Sequence, residues 1–320
     1  MKFNILPIAG DASFRVFYRL ILNNKSKIIV LAKKEKYKNL VAYSSINKFL
    51  RDNKILTPRL YSYNFLKGIM LIEDFGKLSF YNILLNKKNK FFIYKKLVNQ
   101  LLKIQKIKPK LKIKNINKGK HVINKYTKKY LFEESNLFFD WYLPLFLNKK
   151  KTYEIKAKSK KILKKLYNKL NFSNSCFVHR DYHAQNLMMV GKKIGVIDSQ
   201  DALIGNPSYD LVSLIDDVRI KIPRKLKKQI YNYYMKKTLN SHRDNSKKFI
   251  EDFNILSVQR SLKIIGIFSR LFKRDKKSRY LKFIPYTWSL LEMRMKSEIF
   301  LELKKILDNN IPKKIRKKIF

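Results

Sequence analysis

The order of hydrophobic and polar positions divides the chain into two parts. In the first 76 residues, short aromatic or β-branched runs alternate with turn residues, a pattern typical of antiparallel strands. One stretch there, 37–51, instead spaces its apolar side chains with the period of a helix. We predict strands over 13–22, 27–32, 59–65 and 68–72. The first part is therefore expected to be a small antiparallel sheet with one helix.

Beyond residue 76 the period becomes helical. We predict helices near 78–86, 89–107, 121–139, 154–170, 223–238, 247–272 and 288–308. A β-like island interrupts them at 176–178, 187–190 and 193–197, and the basic stretch 108–120 is expected to be an exposed loop. This order predicts an α+β fold. A small N-terminal lobe over 1–76 ends in a hinge, and a large, mainly helical C-terminal lobe covers 77–320.

Composition sets limits on the class of protein. Apolar residues make up 45% of the chain, enough for a substantial core. The single cysteine, Cys176, excludes an intrachain disulfide or a cysteine zinc site, and its apolar surroundings indicate a buried side chain. The apolar stretch at the start, before Asp11 and Arg15, is too short for a signal peptide, and no apolar run approaches the roughly 20 residues that cross a bilayer. We therefore expect a cytoplasmic protein without a membrane partner.

The formal net charge of +50 would usually indicate a nucleic-acid or anionic-membrane partner. The lysines, however, are spread along the whole chain, and glycine and proline number only 8 each. Together with abundant Lys, Ile, Asn, Phe and Tyr, this is the composition expected of an A/T-rich coding sequence. We expect no specific nucleic-acid partner, although a positive field would also attract nucleotides and anionic substrates.

Polar side chains crowd the β-like island. Asp181 and Asn186 lie five positions apart in one loop, and Asp198 follows an apolar strand seventeen positions after Asp181. A strand that ends in a carboxylate, beside a loop with a carboxylate and an amide, brings three oxygens to one point. Such a group suits a hard cation and a hydroxyl that is to be phosphorylated.

Phosphoryl transfer asks a protein mainly to position the donor phosphates, Mg²⁺ and the attacking hydroxyl. Asp181 would accept the proton of that hydroxyl, and Asn186 and Asp198 would hold Mg²⁺. The spacing H-R-D-x-x-x-x-N matches the kinase catalytic loop, with Asp198 in the place of the D-F-G aspartate. The alternative is a capped, salt-bridged turn without chemistry.

Two further segments are candidates for the donor phosphates. Gly10 and Ser13 precede a strand, so backbone N–H groups and a hydroxyl there would cover phosphates, although a plain hairpin turn fits equally well. Protein kinases use a strand lysine that pairs with a helix glutamate, and the candidates for it here are Lys33, which we assign, and Lys34. The helix 37–51 has no glutamate, so either the pair is absent or another residue replaces it.

These motifs resemble the aminoglycoside phosphotransferase-like branch of the protein-kinase-like superfamily, over nearly the whole chain. In that branch the tripeptide is often H-G-D, and Arg180 departs from it. Within the branch, the chain is most similar to the anomeric kinases of N-acetylmuramic acid and N-acetylglucosamine in cell-wall recycling. The segments that carry this likeness are 10–15, 71–76 and 140–144. The resemblance implies a two-lobed, protein-kinase-like fold and an ATP- and Mg²⁺-dependent kinase of a small-molecule hydroxyl.

The resemblance also assigns roles to single residues. Glu73 and Phe75 lie in the hinge, which in the family offers backbone groups to the adenine. The segment Asp140, Trp141 and Tyr142 combines ring faces with a carboxylate and would hold a sugar, the alternative being an aromatic core. In the catalytic loop, His183 would contact substrate or the loop itself, and His179 would brace it. Asp210 is the helix-start aspartate that would support the same loop.

The acceptor is left open among three readings. An amino sugar phosphorylated on its anomeric hydroxyl, in peptidoglycan recycling, fits the resemblance best. Another small molecule, an aminoglycoside or amino alcohol, would use the same catalytic motifs, but only 23 acidic residues disfavour a polycationic acceptor. A basic nucleic-acid-binding, kinase-like scaffold would account for the charge, but it would not need Asp181, Asn186 and Asp198. The oligomeric state is open, and a monomer is compatible with the sequence.

Overall fold

A computed structural model describes residues 3–8, 15–23, 25–32, 37–117, 119–238 and 243–318. The chain forms two compact units. The first unit combines residues 1–125 with 176–204, and the second combines 126–175 with 205–320. The division into lobes at residue 76 stays a prediction. Among the described helices, none has an apolar stretch long enough to span a bilayer.

The first unit is built on a five-stranded antiparallel sheet in the order β1-β2-β3-β5-β4. Val16–Leu22 and Lys25–Leu31 pair directly, and Asn23 between them has a left-handed backbone with φ 45°. An asparagine tolerates that conformation well, so it suits the tight turn. The five strands are β1 (Phe3–Ile8), β2 (Val16–Leu22), β3 (Lys25–Leu31), β4 (Leu60–Asn64) and β5 (Ile69–Glu73).

One helix, α1 (Tyr37–Asp52), covers a face of this sheet. Alternate residues of the central strands point toward it, so Val30 of β3 and Met70 of β5 pack against Leu40 and Tyr43 of α1 in one apolar core. This is the arrangement expected where an amphipathic helix meets a half-buried sheet.

Two more helices and a small hairpin complete this part of the unit. Ser79 and Asn89 cap the helices α2 (Phe80–Asn86) and α3 (Lys90–Gln105) by accepting backbone N–H groups. The predicted loop at 108–120 is wrong in part, because β6 (Lys112–Lys114) and β7 (Lys120–Val122) pair there as antiparallel strands. A three-residue lysine-rich strand carries too little apolar pattern to be read from sequence.

Four short strands flank the loops that hold the polar residues of the β-like island. They are β8 (Cys176–Val178), β9 (Leu187–Val190), β10 (Lys193–Val196) and β11 (Leu203–Gly205). β9 and β10 form an antiparallel hairpin, and Gly195 of β10 also bridges to Leu56. A Cβ atom at Gly195 would lie 2.6 Å from the ring of Phe75. The missing side chain therefore lets β10 pass under the segment that follows β5.

The second unit is helical. Its helices are α4 (Lys128–Leu137), α5 (Lys149–Asn168), α6 (Ser208–Ile215), α7 (Arg224–Thr238), α8 (Arg243–Asp275), α9 (Ile284–Arg294), α10 (Leu301–Asn310) and α11 (Lys313–Lys317). A Cβ atom at Gly266 of α8 would lie 2.2 Å from the backbone of Leu137. Glycine is therefore what lets α8 approach the end of α4, where a π-helical turn (Phe138–Tyr142) begins.

Two buried charges of the second unit, Lys263 and Glu134, form an ion pair. Lys263 lies 3.0 Å from a carboxylate oxygen of Glu134, and the other oxygen accepts hydrogen bonds from Gln259 and from the Tyr126 hydroxyl. Buried ions without such partners would be costly, so this cluster fixes how α4 and α8 pack.

Candidate active site

The loop that follows β8 is folded around the backbone of Asp181. The carbonyl oxygen of Asp181 accepts hydrogen bonds from the N–H of His183 (2.9 Å) and from Nδ2 of Asn186 (3.0 Å). Arg180 has a left-handed backbone with φ 73°, which costs about 1–3 kcal/mol for a residue other than glycine. The structure therefore brings Asp181 and Asn186 together, in a loop with one strained residue and two hydrogen bonds to a single carbonyl oxygen.

His179 joins this loop to the strand that carries Asp198. Its Nδ1 accepts the N–H of Asp181 (3.3 Å), and its Nε2 lies 3.0 Å from the carbonyl oxygen of Ile197. Because a backbone N–H occupies Nδ1, we assign the proton to Nε2, which donates to Ile197. Both ring nitrogens are thus engaged. These contacts suit the bracing role that the sequence predicts, which stays a prediction.

His183 and Asn186 are both buried in the loop. The Nδ2 atom of Asn186, besides its bond to Asp181, lies 3.5 Å from Nε2 of His183. The nitrogen end of the Asn186 amide is therefore turned toward the protein. Its oxygen is the atom that it offers to a ligand, as a cation requires. His183 contacts the loop itself, and contact with substrate stays a prediction.

Asp198 follows directly on β10 and Ile197. The N–H of Ile197 donates to the carbonyl oxygen of Asn186 at 3.0 Å, which sets the end of the strand beside the loop. Asp198 has φ 65°, a second strained position among these few residues. Its side chain is exposed, and Oδ1 accepts a hydrogen bond from Nε2 of Gln200 at 2.9 Å.

The surroundings raise the pKa of the Asp198 carboxyl above its ordinary value. Although the side chain reaches solvent, desolvation by the surrounding protein is the largest cause, and the nearby negative charge of Asp181 adds to it. The hydrogen bond from Gln200 and the positive charge of Arg15 act in the opposite direction. Asp181 and Asp198 are therefore close enough for each to disfavour the charge of the other.

This donor set fits Mg²⁺. Two repelling carboxylates and a free amide oxygen are hard ligands, and a divalent cation would relieve the repulsion. Within the described ranges, no group of three or more His, Cys, Asp or Glu side chains is arranged to hold a metal. Mg²⁺ does not need such a group, since it usually binds one or two carboxylates and completes its shell with water and substrate phosphates.

The segment after β5 is held in place by ion pairs. Arg19 of β2 binds both carboxylate oxygens of Asp74, at 2.5 and 3.0 Å, and the carbonyl oxygen of Gly76 at 3.0 Å. The carboxylate of Glu73 accepts the N–H of Arg59 (3.1 Å) and faces Arg51. The Glu73 side chain is thus used within the protein, so a ligand would meet the backbone of this segment. Phe75 is buried against Gly195.

Three predicted nucleotide-binding residues, Gly10, Ser13 and Lys33, lie outside the described residues. Around Asp198 and the residues that follow it, the structure adds residues that sequence reasoning missed: Arg15, Tyr43, Asn47, Ser199 and Gln200. The signal available in the sequence was weak. Ser199 and Gln200 follow Asp198 directly, but nothing in the chain order links them to Tyr43 or Arg15.

The predicted sugar-binding segment lies in the second unit. Asp140 is exposed and forms an ion pair with Lys156 at 2.5 Å, and Trp141 is half-buried. Tyr142 is fully buried, and its hydroxyl accepts a hydrogen bond from Nε1 of Trp288 at 3.0 Å. Burial also raises the pKa of Tyr142. Tyr142 therefore packs the core, which leaves Asp140 and Trp141 as the members that a ligand could reach.

Asp210 is completely buried in the first turn of α6, also in the second unit. A carboxylate at that position interacts favourably with the helix N-terminus. Its support of the catalytic loop stays a prediction.

Residues 4–243 match the model of the phosphotransferase enzyme family, which is about three quarters of the chain. The chain belongs to this family. As a phosphotransferase it is an enzyme, as the sequence predicts, and the predicted resemblance is confirmed.

Two curated relatives of this phosphotransferase, from different organisms, are both named as N-acetylmuramate/N-acetylglucosamine kinases. The N-acetylmuramate/N-acetylglucosamine kinase of Pseudomonas aeruginosa is 30% identical over 292 residues, which cover 90% of this chain and 82% of the relative. The kinase of that name from Neisseria meningitidis is 26% identical, and the match covers 88% of this chain and 83% of that relative.

A solved structure supports the fold of the phosphotransferase. Spectinomycin phosphotransferase in complex with ADP and spectinomycin matches it with a TM-score of 0.60 at 16% identity, over 92% of this chain and 93% of that one. The predicted α+β, protein-kinase-like fold is confirmed.

Proposed function

We propose that this phosphotransferase transfers the terminal phosphate of ATP, with Mg²⁺, to the anomeric hydroxyl of N-acetylmuramate or N-acetylglucosamine in peptidoglycan recycling. The observation that carries the proposal is the grouping of Asp181, Asn186 and Asp198 within one unit, by a side-chain bond from Asn186 to Asp181 and a backbone bond from Ile197 to Asn186. The acceptor is inferred from the relatives, which are named as kinases of these sugars and align over most of the chain. A cytoplasmic location follows from the need for ATP.

Asp181 is proposed as the base. Its carboxylate orients the sugar hydroxyl and takes up the proton as the hydroxyl oxygen forms a bond to the terminal phosphorus. The bond between that phosphorus and the bridging oxygen breaks, and ADP leaves with the electron pair. The backbone N–H of His183 and the side-chain Nδ2 of Asn186 both donate to the backbone carbonyl oxygen of Asp181, which holds the loop in place around this residue.

Asn186 and Asp198 are proposed as the residues that hold Mg²⁺. When bound there, Mg²⁺ neutralises charge on the donor phosphates. Both residues are fixed before any ligand arrives, since Ile197 bonds Asn186 and Gln200 bonds Asp198. Preorganised ligands of this kind avoid the cost of ordering the site during the reaction.

The adenine is proposed to meet the backbone of Glu73 and Phe75. Arg19, through Asp74 and Gly76, anchors this backbone to the sheet. The sugar is proposed to meet Trp141, whose ring is partly exposed, and Asp140. An aromatic face with an adjacent carboxylate suits a sugar ring with polar edges.

A panel of acceptors with ATP and Mg²⁺ tests the function. The panel contains N-acetylmuramate, N-acetylglucosamine, an aminoglycoside, choline and ethanolamine, and ³¹P and ¹H NMR locate the phosphate on each product. We expect phosphate on the anomeric oxygen of the two amino sugars. Phosphorylation of choline or an aminoglycoside in preference to these sugars would overturn the proposed acceptor, and the absence of any ATP-dependent product would overturn the proposed reaction.

A further inference from the structure

Helix α1 offers no carboxylate that could partner a strand lysine. Its single acidic residue, Asp52, is exposed and pairs with Lys48 one turn away at 2.9 Å. Protein kinases use a lysine and a helix glutamate to grip the donor phosphates. That pair has no counterpart on α1, although the phosphates of a nucleotide still require a positive charge.

Arg15 lies beside α1 and the loop that carries Asp198. Its side chain is only 7% exposed, and Nη1 donates to Oε1 of Gln200 at 3.4 Å. The guanidinium carbon lies 5.2 Å from the centre of the Tyr43 ring of α1. Because Gln200 also donates to Asp198, a single side chain separates Arg15 from the proposed metal ligand.

This setting suits a phosphate-binding arginine. A guanidinium is charged at every physiological pH, and its planar set of N–H donors matches two oxygens of one phosphate. The contact with Tyr43 restricts the plane of the group, and the bond to Gln200 restricts its rotation, so less freedom is lost when a ligand binds.

Two other cations, Arg19 and Lys27, lie on strands of the five-stranded sheet and have partners there. Arg19 binds Asp74 and Gly76, and Lys27 lies on an exposed face with its amine 4.7 Å from the centre of the Tyr61 ring. Lys33 lies outside the described residues, and its substitution is included in the test below.

We propose that Arg15 binds the phosphates of the donor nucleotide beside Asp198, and supplies the charge that the strand lysine supplies in protein kinases. The assignment rests on the proposed function for the identity of the donor. Beyond that function, Arg15 is assigned as the residue that binds the phosphates, with Gln200 and Tyr43 holding its guanidinium in position. The ligand class is a nucleoside di- or triphosphate with its divalent cation.

Calorimetric titration without any acceptor tests this assignment. The probes are a non-hydrolysable ATP analogue with Mg²⁺, ADP with Mg²⁺, and adenosine, each titrated into wild type, Arg15→Gln, Arg15→Lys, Lys33→Gln and Lys27→Gln. We expect Arg15→Gln to weaken binding of the triphosphate by about tenfold to a hundredfold, the range for a lost hydrogen bond to a charged group. Its affinity for adenosine should stay within about twofold.

The other variants serve as controls. Lys27→Gln removes one positive charge from the exposed face of the same sheet and should change neither affinity by more than about twofold. Arg15→Lys keeps the charge without the planar donors and should fall between wild type and Arg15→Gln. If Arg15→Gln fails to fold, the arginine-to-lysine change carries the test, with a loss confined to ligands that bear phosphates.

Several results would overturn the assignment. Equal loss of adenosine and triphosphate binding would mean that Arg15 only supports the fold. Unchanged triphosphate affinity in both Arg15 variants, with a loss in Lys33→Gln, would place the charge at Lys33 and leave the proposed function intact. A wild-type protein that binds neither ATP analogue nor ADP would overturn the proposed function, and this assignment with it.

Discussion

The hydroxyl of Ser199 donates a 2.7 Å hydrogen bond to the side-chain oxygen of Asn47, and this bond joins α1 to the loop that begins at Asp198. Both residues are buried. The backbone carbonyl of Asn47 also accepts the hydroxyl of Thr57 at 2.9 Å, so Asn47 is held from two sides. The position of the helix and the position of a proposed metal ligand are therefore coupled through neutral polar groups.

Ser199→Ala should break this coupling while leaving every proposed catalytic and metal-binding residue in place. The substitution leaves a buried amide oxygen of Asn47 without its donor, which costs about 1–3 kcal/mol of stability. We expect a lower thermal-unfolding midpoint and a reduced kcat, because the loop beside Asp198 loses an anchor. Ser289→Ala is the matched control: its exposed hydroxyl bonds only within its own helix. Equal midpoints and turnover for the two variants would contradict the coupling.

Asp181 and Asp198 should differ in what their removal affects. Asp181→Asn keeps the shape of the side chain but not the base, and should lower kcat by about 10²- to 10⁴-fold with nucleotide affinity unchanged. Asp198→Asn should also weaken Mg²⁺-dependent nucleotide binding, because it removes a charged ligand. Coupled ADP-release assays and titrations measure the two effects.

The control for both variants is Asp201→Asn, in the loop that begins at Asp198. The Asp201 side chain is exposed, and Nη1 of Arg180 donates to the backbone carbonyl oxygen of Asp201 at 3.0 Å. This variant should keep near wild-type turnover. If Asp181→Asn were to turn over as fast as Asp201→Asn, Asp181 would not be the base.

Gly195→Ala should push the segment after β5 away from β10. The added methyl group would lie 2.6 Å from the ring of Phe75, which is buried and cannot move without displacing its neighbours. Overpacking of this kind costs about 1–3 kcal/mol, and we expect weaker nucleotide binding as well. The double variant Gly195→Ala/Phe75→Leu should recover part of both losses. Strictly additive effects in the double-mutant cycle would show that the two residues do not interact.

Much of the fold follows from local pattern. The helix predicted over 37–51 is observed as Tyr37–Asp52, and the four predicted strands of the first part lie within one to three residues of those observed. The helix predicted over 288–308 is wrong in its middle, because α9 ends at Arg294 and α10 begins at Leu301. Apolar periodicity continues across that break, so the pattern does not reveal it.

The candidate site was predictable where chemistry is concentrated in one stretch, as at Asp181, Asn186 and Asp198. The contact between Arg15 and Gln200 spans 185 positions, and no periodicity connects such residues. Gly266 is similar: within a helical stretch it looks like a weakening residue, and only the nearby backbone of Leu137 explains it. Tertiary contacts decide both positions.

Asp216 should make the stability of the second unit depend on pH. Its buried carboxylate binds Lys227 at 2.8 Å and Arg294 at 2.9 Å, and it accepts the hydroxyl of Ser257. Although burial alone would raise the pKa of Asp216, these cations and hydrogen bonds hold it below the ordinary value. A depressed pKa in the folded state stabilises the protein at pH values above the unfolded-state pKa of about 3.9, and that stabilisation is lost as the pH falls further.

Asp216→Asn should therefore cost about 3–5 kcal/mol at pH 7, since it leaves the buried Lys227 and the partly buried Arg294 without their counter-ion. Asp52→Asn, which breaks an exposed pair with Lys48, should cost less than about 1 kcal/mol. Thermal-unfolding midpoints measured from pH 7 to pH 3 check both values. Below about pH 4 the wild type should lose stability more steeply than Asp216→Asn, because only the wild type takes up a proton at this site on unfolding. Parallel midpoint curves for wild type and Asp216→Asn over this range would show that Asp216 is not the source of the acid sensitivity.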